Sequence, residues 1–118
     1  MTTMIAMGAV ATAINSGDDG VAASAMELQE RRDLLLKELS AYKIISPHGG
    51  WSLLIDMSPL GLDGAAASRV LLEKGKIAAT PMINWGSEHC ANYLRLVFAN
   101  ESVARLADIK KRFRAAFL

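Results

Sequence analysis

Asn92-Tyr93-Leu94-Arg95-Leu96-Val97-Phe98-Ala99 is the stretch from which the fold of this chain can be read. Aliphatic and aromatic residues follow one another here without Gly or Pro, which is the composition of a strand in a packed sheet. Successive side chains on a strand point to opposite faces, so Leu94, Leu96 and Phe98 share one face and Tyr93, Arg95 and Val97 the other. The first face is the expected core. A second strand is expected over Trp51 to Met57, where Trp51, Leu53, Ile55 and Met57 alternate with Ser52, Leu54 and Asp56.

Working outward, Lys43-Ile44-Ile45-Ser46 reads as a short extended segment ended by Pro47 and by Gly49-Gly50, and Ile77-Ala78-Ala79-Thr80 as a strand ending at Pro81. Residues 21 to 42 carry helix-forming Ala, Glu, Leu, Arg and Lys, with Met26, Leu28, Leu35, Leu39 and Tyr42 loosely at helical spacing. Asp63 is placed to cap a helix from about Gly64 to Lys74, stopped by Gly75. Asn100-Glu101 opens a last helix with Val103, Leu106, Ile109 or Lys110, Phe113 and Phe117 on its stripe. These elements predict an α+β (two-layer α/β) small domain in the order ααββαββα. Its sheet is mainly antiparallel, with three to four strands covered by helices.

The chain has 118 residues, room for one core. Its 13 basic and 12 acidic side chains leave a formal charge of +1, too little for a global field that would recruit nucleic acid or an anionic membrane. No apolar run reaches the roughly 18 residues that suggest a membrane span. The single cysteine, Cys90, cannot form an internal disulfide. No Lys or Arg precedes Arg31, so the positive start of a secretory signal is missing and a cytoplasmic location is the expectation. His48, His89 and Cys90 lack the close paired spacing of a zinc site, and no metal site is expected. Lys110-Lys111-Arg112-Phe113-Arg114 reads as the solvated side of the last helix.

The first segment is unusual. Met1, Met4, Ile5, Met7, Val10 and Ile14 crowd a stretch of small residues, which predicts a helix buried on more than one side by another part of a longer chain or by a second subunit. A turn cluster at residues 15–20 follows, in which Asp18 and Asp19 could cap the next helix.

Arg95 is the most informative single residue. An arginine cannot shed its charge, so a partly buried guanidinium requires an anion, and its planar fork suits a carboxylate. Taken by itself, an arginine flanked by leucines is more often a structural ion pair or an open-face residue, and position alone does not make Arg95 a ligand anchor.

The words around it point further. Arg31-Arg32-Asp33-Leu34-Leu35, Pro47-x-Gly49-Gly50-Trp51-Ser52-Leu53, Pro81-Met82-Ile83-Asn84-Trp85-Gly86 and Tyr93-Leu94-Arg95-Leu96-Val97-Phe98-Ala99 follow in an order that resembles the C-terminal small domain of class I/II, fold-type I pyridoxal-phosphate-dependent aminotransferases. The resemblance covers about three quarters of the chain. It implies that Arg95 binds the α-carboxylate of an amino-acid or 2-oxo-acid substrate. It places Gly49 and Gly50 where backbone approaches substrate, and Asn84 and Trp85 in the loop before the arginine strand. Trp85 departs from the phenylalanine common there, which leaves side-chain preference open, although Trp85 and Tyr93 permit an aromatic or large apolar group.

The resemblance also implies a Schiff-base lysine in a preceding large domain, and Lys37, Lys43, Lys74, Lys76, Lys110 and Lys111 match no such motif. The expectation is therefore a partial aminotransferase. Residues 1–20 would be the remnant of an interdomain helix and turn, and 21–118 the small domain. Pyridoxal phosphate would belong to the parent enzyme and not bind stably to this chain alone, and the resemblance implies a homodimer. A non-catalytic module docking on a full-length relative is the alternative, and a stand-alone carboxylate binder a third.

Overall fold

The structure is a computed structural model and describes residues 4–17, 20–88 and 90–118. Helix α1 runs from Met4 to Asn15 and α2 from Val21 to Glu38. Strands β1 (Lys43–Ile45) and β2 (Ser52–Asp56) follow, then α3 (Gly64–Val70), β3 (Thr80–Pro81), β4 (Tyr93–Val97), α4 (Val103–Leu106) and α5 (Ile109–Phe117). The four strands form one sheet in the order β1-β2-β4-β3, with every pairing antiparallel. The expected small α/β domain is thus present, its last helix divided in two at Ala107 and Asp108.

The core lies on one side of the sheet. Leu53 and Ile55 of β2, Met57 just beyond it, and Leu94, Leu96 and Phe98 at β4 are all buried, as their alternation predicted. Helices cover them through Leu35 and Leu39, Ala67 and Leu71, and Leu106, Ile109 and Phe113. Tyr42, Phe113 and Phe117 pack edge to face, with ring centroids 5.2 to 6.2 Å apart. Arg31 ties α2 to the end of β4 by donating to the carbonyl of Ala99, and pairs with Glu27 one turn back.

Trp51 departs from its expected place: it precedes β2, and its side chain is exposed. At this end the buried Phe98, whose N–H donates to the Trp51 carbonyl at 2.9 Å, fills the last core position. The strand expected from Ile77 forms only at Thr80 and Pro81.

Asp63 caps α3 as expected, accepting from the Ala66 N–H at 2.7 Å. The helix then widens into a π-turn over Leu71–Gly75, and the left-handed exit falls on Lys76 (φ 56°), one residue after the glycine expected to stop it. Gly75 is buried for another reason. A Cβ there would lie 3.0 Å from the Arg112 carbonyl on α5.

The last helices open at Ser102, whose hydroxyl accepts from the Arg105 N–H, and not at the expected Asn100-Glu101. Ile109 takes the core position on the stripe, while Lys110 is exposed. α2 ends at Glu38, with Tyr42 in the following turn, and the C-cap N–H of Leu39 returns to the Leu35 carbonyl. Helix α1 forms, but every residue of it is exposed, so the burial expected of it is not provided by the rest of this chain. The caps expected of Asp18 and Asp19 lie outside the described residues.

Candidate functional site

Tyr93, Arg95 and Val97 stand on the sheet face opposite the helices, as their alternation requires. Arg95 is flanked in register by Leu54 of β2 and Thr80 of β3. That central place half-buries the side chain, and its Nε is fully buried without a hydrogen-bond partner. No Asp or Glu among the described residues pairs with it. A charged group in this condition costs free energy until an anion reaches it.

Among the described residues its close partner is aromatic. The guanidinium carbon lies 4.5 Å from the centroid of the Trp85 ring, within cation–π range. Trp85 arrives there because the Met82 N–H donates to the Tyr93 carbonyl at 3.0 Å. The Trp85 N–H then closes a turn onto the Met82 carbonyl at 2.9 Å. Gly86 follows, where a Cβ would meet the Cys90 sulfur at 2.6 Å, so a larger residue there would have to turn the Cys90 side chain aside. A stacked ring covers the face of a guanidinium and leaves its in-plane N–H groups free, the groups a carboxylate uses.

One row along the same face, Asp56 is buried and receives the Ser58 hydroxyl at 2.7 Å and the Ser58 N–H at 3.0 Å. Lys43 reaches it at 2.9 Å. The Ser58 hydroxyl foremost, with Lys43 and the Ser58 backbone, holds the Asp56 carboxyl down to about 2. In return the hydrogen bond and charge of Asp56 raise the Lys43 pKa. This pair is satisfied within itself and is not aimed at a ligand.

Of the residues singled out in the sequence, the structure brings Trp85 onto Arg95 and sets Asn84 beside Trp85 in the same exposed turn. Gly49 and Gly50 lie elsewhere. They are exposed at the start of β2, with open space where a Cβ would stand, and Gly50 has a φ of 82°. Leu54, opposite Arg95, is four residues further on, a reach of at most about 13 Å. His89 lies outside the described residues, and among those described no group of three or more His, Cys, Asp or Glu is gathered to hold a metal. Among the described residues no helix is long and apolar enough to cross a membrane. The stack of Trp85 on Arg95 had no signal in the sequence, because a ten-residue separation across an irregular loop carries no periodicity.

No curated protein matches the chain significantly. Among solved structures, the aspartate aminotransferase of Thermus thermophilus with maleate is 33% identical, with a TM-score of 0.64 over 79% of this chain and 23% of that one. The aromatic aminotransferase of Pyrococcus horikoshii OT3 is similar in fold (22% identity, TM-score 0.67, 75% of this chain and 24% of that one). So is a protein of Clostridium difficile 630 solved with pyridoxal phosphate bound (23% identity, TM-score 0.73, 88% and 27%). The chain therefore spans about a quarter of the length of these structures. The family described as aminotransferase class I and II matches residues 2–113, nearly the whole chain. The chain belongs to the class I and II aminotransferase family.

Proposed function

We propose that this chain supplies the substrate-gripping part of a pyridoxal-phosphate-dependent aminotransferase, with Arg95 binding the α-carboxylate of an amino acid or 2-oxo acid. The observation that carries the reading is the condition of Arg95: half-buried, its Nε buried and unpartnered, its guanidinium over the Trp85 ring and no acidic residue among those described paired with it. A carboxylate arriving in the guanidinium plane satisfies that charge. The maleate bound to the Thermus aspartate aminotransferase is itself a dicarboxylate. Asn84, beside Trp85, is the nearest candidate for the substrate's other polar groups, and Gly49-Gly50 would approach substrate only from the far end of β2.

The residues present do not fit the cofactor's covalent anchor. An amine that condenses with an aldehyde must be free of its proton, and Lys43, the lysine on the Arg95 sheet, is tied to Asp56 with its pKa raised. Lys37, Lys74, Lys76, Lys110 and Lys111 are exposed on helices and turns. Pyridoxal phosphate and its lysine therefore belong to the remainder of the parent enzyme, which would be a homodimer transferring amino groups between amino acids and 2-oxo acids.

Residues 1–20 are the interdomain helix and turn in this reading, and 21–118 the small domain. The full exposure of Met4, Ile5 and Ile14 favours a second reading as well, a non-catalytic module docking through α1 on a full-length relative.

The test is a titration of the chain with maleate, followed by NMR at the Trp85 indole N–H. A saturable shift that disappears in Arg95→Ala is expected. No shift in the native chain, or an equal shift in Arg95→Ala, overturns the assignment.

A further inference from the structure

Strands β3 and β4 pair only through Thr80 with Arg95 and Pro81 with Leu94, and residues 76–79 carry no strand pairing. Backbone polar groups on an antiparallel strand turn alternately to its two neighbours. The Tyr93 carbonyl accepts from Met82 on the β3 side, while the Phe98 N–H donates to Trp51 on the β2 side. Counting by twos from Tyr93 turns the N–H and carbonyl of Val97 toward the β3 side, where the chain has drawn away. A cavity of about 290 Å³ opens there, lined by Val97 and by Ala78 across from it.

Its inner wall is apolar. Leu96, Leu106 and Ile109 are buried residues that nevertheless reach this cavity, and Ile77 adjoins them. Its rim is cationic, formed by Lys76, Arg105 and Arg112 with Glu101 as the acid among them. Glu101 pairs with Arg105 at 3.2 Å, and Arg112 gives one N–H to the Lys76 carbonyl at 3.4 Å. Three positive groups against one negative leave a surplus of two positive charges beside an apolar wall. Neither Arg95 nor Trp85 lines this cavity, and its inner wall is built from Leu96, Leu106 and Ile109 on the core side of the sheet, so it is separate from the Arg95 site.

We propose that the cavity is a second binding site, for a small amphipathic monoanion: a carboxylate carried on a short aliphatic body. The carboxylate meets Arg105, Arg112 and the Val97 N–H, and the body lies against Leu96, Leu106 and Ile109. The volume is close to the lower bound of ligand sites, about 300 Å³, which suits a compact molecule. A bare inorganic anion would answer the rim charge and leave the apolar wall wet.

The experiment uses the full chain, labelled for NMR, titrated separately with hexanoate, inorganic phosphate and hexylamine. Hexanoate is expected to give saturable shifts at the Val97 amide and the Leu106 and Ile109 methyls. Phosphate is expected to need about tenfold higher concentration and hexylamine to give no shift. Arg105→Gln, a change at an exposed position, should weaken hexanoate about tenfold through loss of a charged donor, with the rest of the spectrum unmoved. Arg95→Ala should leave hexanoate binding unchanged, whether or not Arg95 holds a substrate. The proposal is overturned by an unmoved Val97 amide, by phosphate binding as tightly as hexanoate, by indifference to Arg105→Gln, or by loss of the signal in Arg95→Ala.

Discussion

The guanidinium carbon of Arg95 stands 4.5 Å from the centroid of the Trp85 ring, so one aromatic side chain from an irregular loop lies against a half-buried cation at the centre of the sheet. A ring that lies over a guanidinium leaves the donors that fork onto a carboxylate at its edge.

Removing the ring should therefore weaken carboxylate binding without abolishing it. A cation–π contact at an exposed aromatic is worth about 0.5–1 kcal/mol, which predicts a two- to fivefold weaker maleate affinity in Trp85→Ala. Trp85→Phe should recover part of the loss. Titration of the three proteins measures it, and equal affinity in all three would remove the positioning role.

Asp56 should contribute to the acid sensitivity of the fold. Its folded pKa, about 2, lies below the ordinary aspartate value of 3.8. The stabilisation is therefore fully present above about pH 4 and is lost as pH falls toward 2. Asp56→Asn should cost about 1.5–3 kcal/mol near neutrality, the range for hydrogen bonds onto an ionised group. Urea denaturation at pH 7, 4 and 2 checks both; the variant's deficit should shrink as pH falls.

Gly64 sits where α3 crosses the start of β4, and a Cβ there would overlap the Tyr93 carbonyl and stand 3.1 Å from the Ala91 carbonyl. Both obstacles are backbone and cannot rotate away. Gly64→Ala should destabilise by about 1–3 kcal/mol as an overpacked contact. Ala65→Gly, one position along the same helix, should cost less than about 1 kcal/mol, from helix propensity alone. Thermal or urea unfolding distinguishes them.

Deleting residues 1–20 should leave the remaining fold as stable as before, since no residue of α1 is buried. Self-association should fall, because Met4, Ile5 and Ile14 are removed with it. Light scattering and thermal unfolding read the two effects separately. A large drop in melting temperature would contradict the division of the chain proposed at residue 20.

Mixing the chain with pyridoxal phosphate and dialysing should leave no cofactor absorbance, given that Lys43 is held by Asp56. Asp56→Ala frees that amine, and any retained absorbance should appear there first. Retention by the native chain would refute the division of labour proposed for the two parts of the enzyme.

Local periodicity made much of this protein legible from its residues. The core faces Leu53-Ile55-Met57 and Leu94-Leu96-Phe98, the outward direction of Arg95 and the cap at Asp63 all follow from rules that act over a few residues. The motif order made the family readable as well, and the family match supports it.

Tertiary structure decided what depends on neighbours distant in sequence. Trp51 had the right parity for the core and lies in solvent, because Phe98 already fills that end. Ile77 to Ala79 had strand composition and remain unpaired, because a strand exists only where a partner stays in register, and β4 has one only at Thr80 and Pro81. That loss of register opened the cavity beside Val97. In the same way, the alternation of β4 set the direction of Arg95, but the turn closed from Trp85 onto Met82 decided which ring covers it.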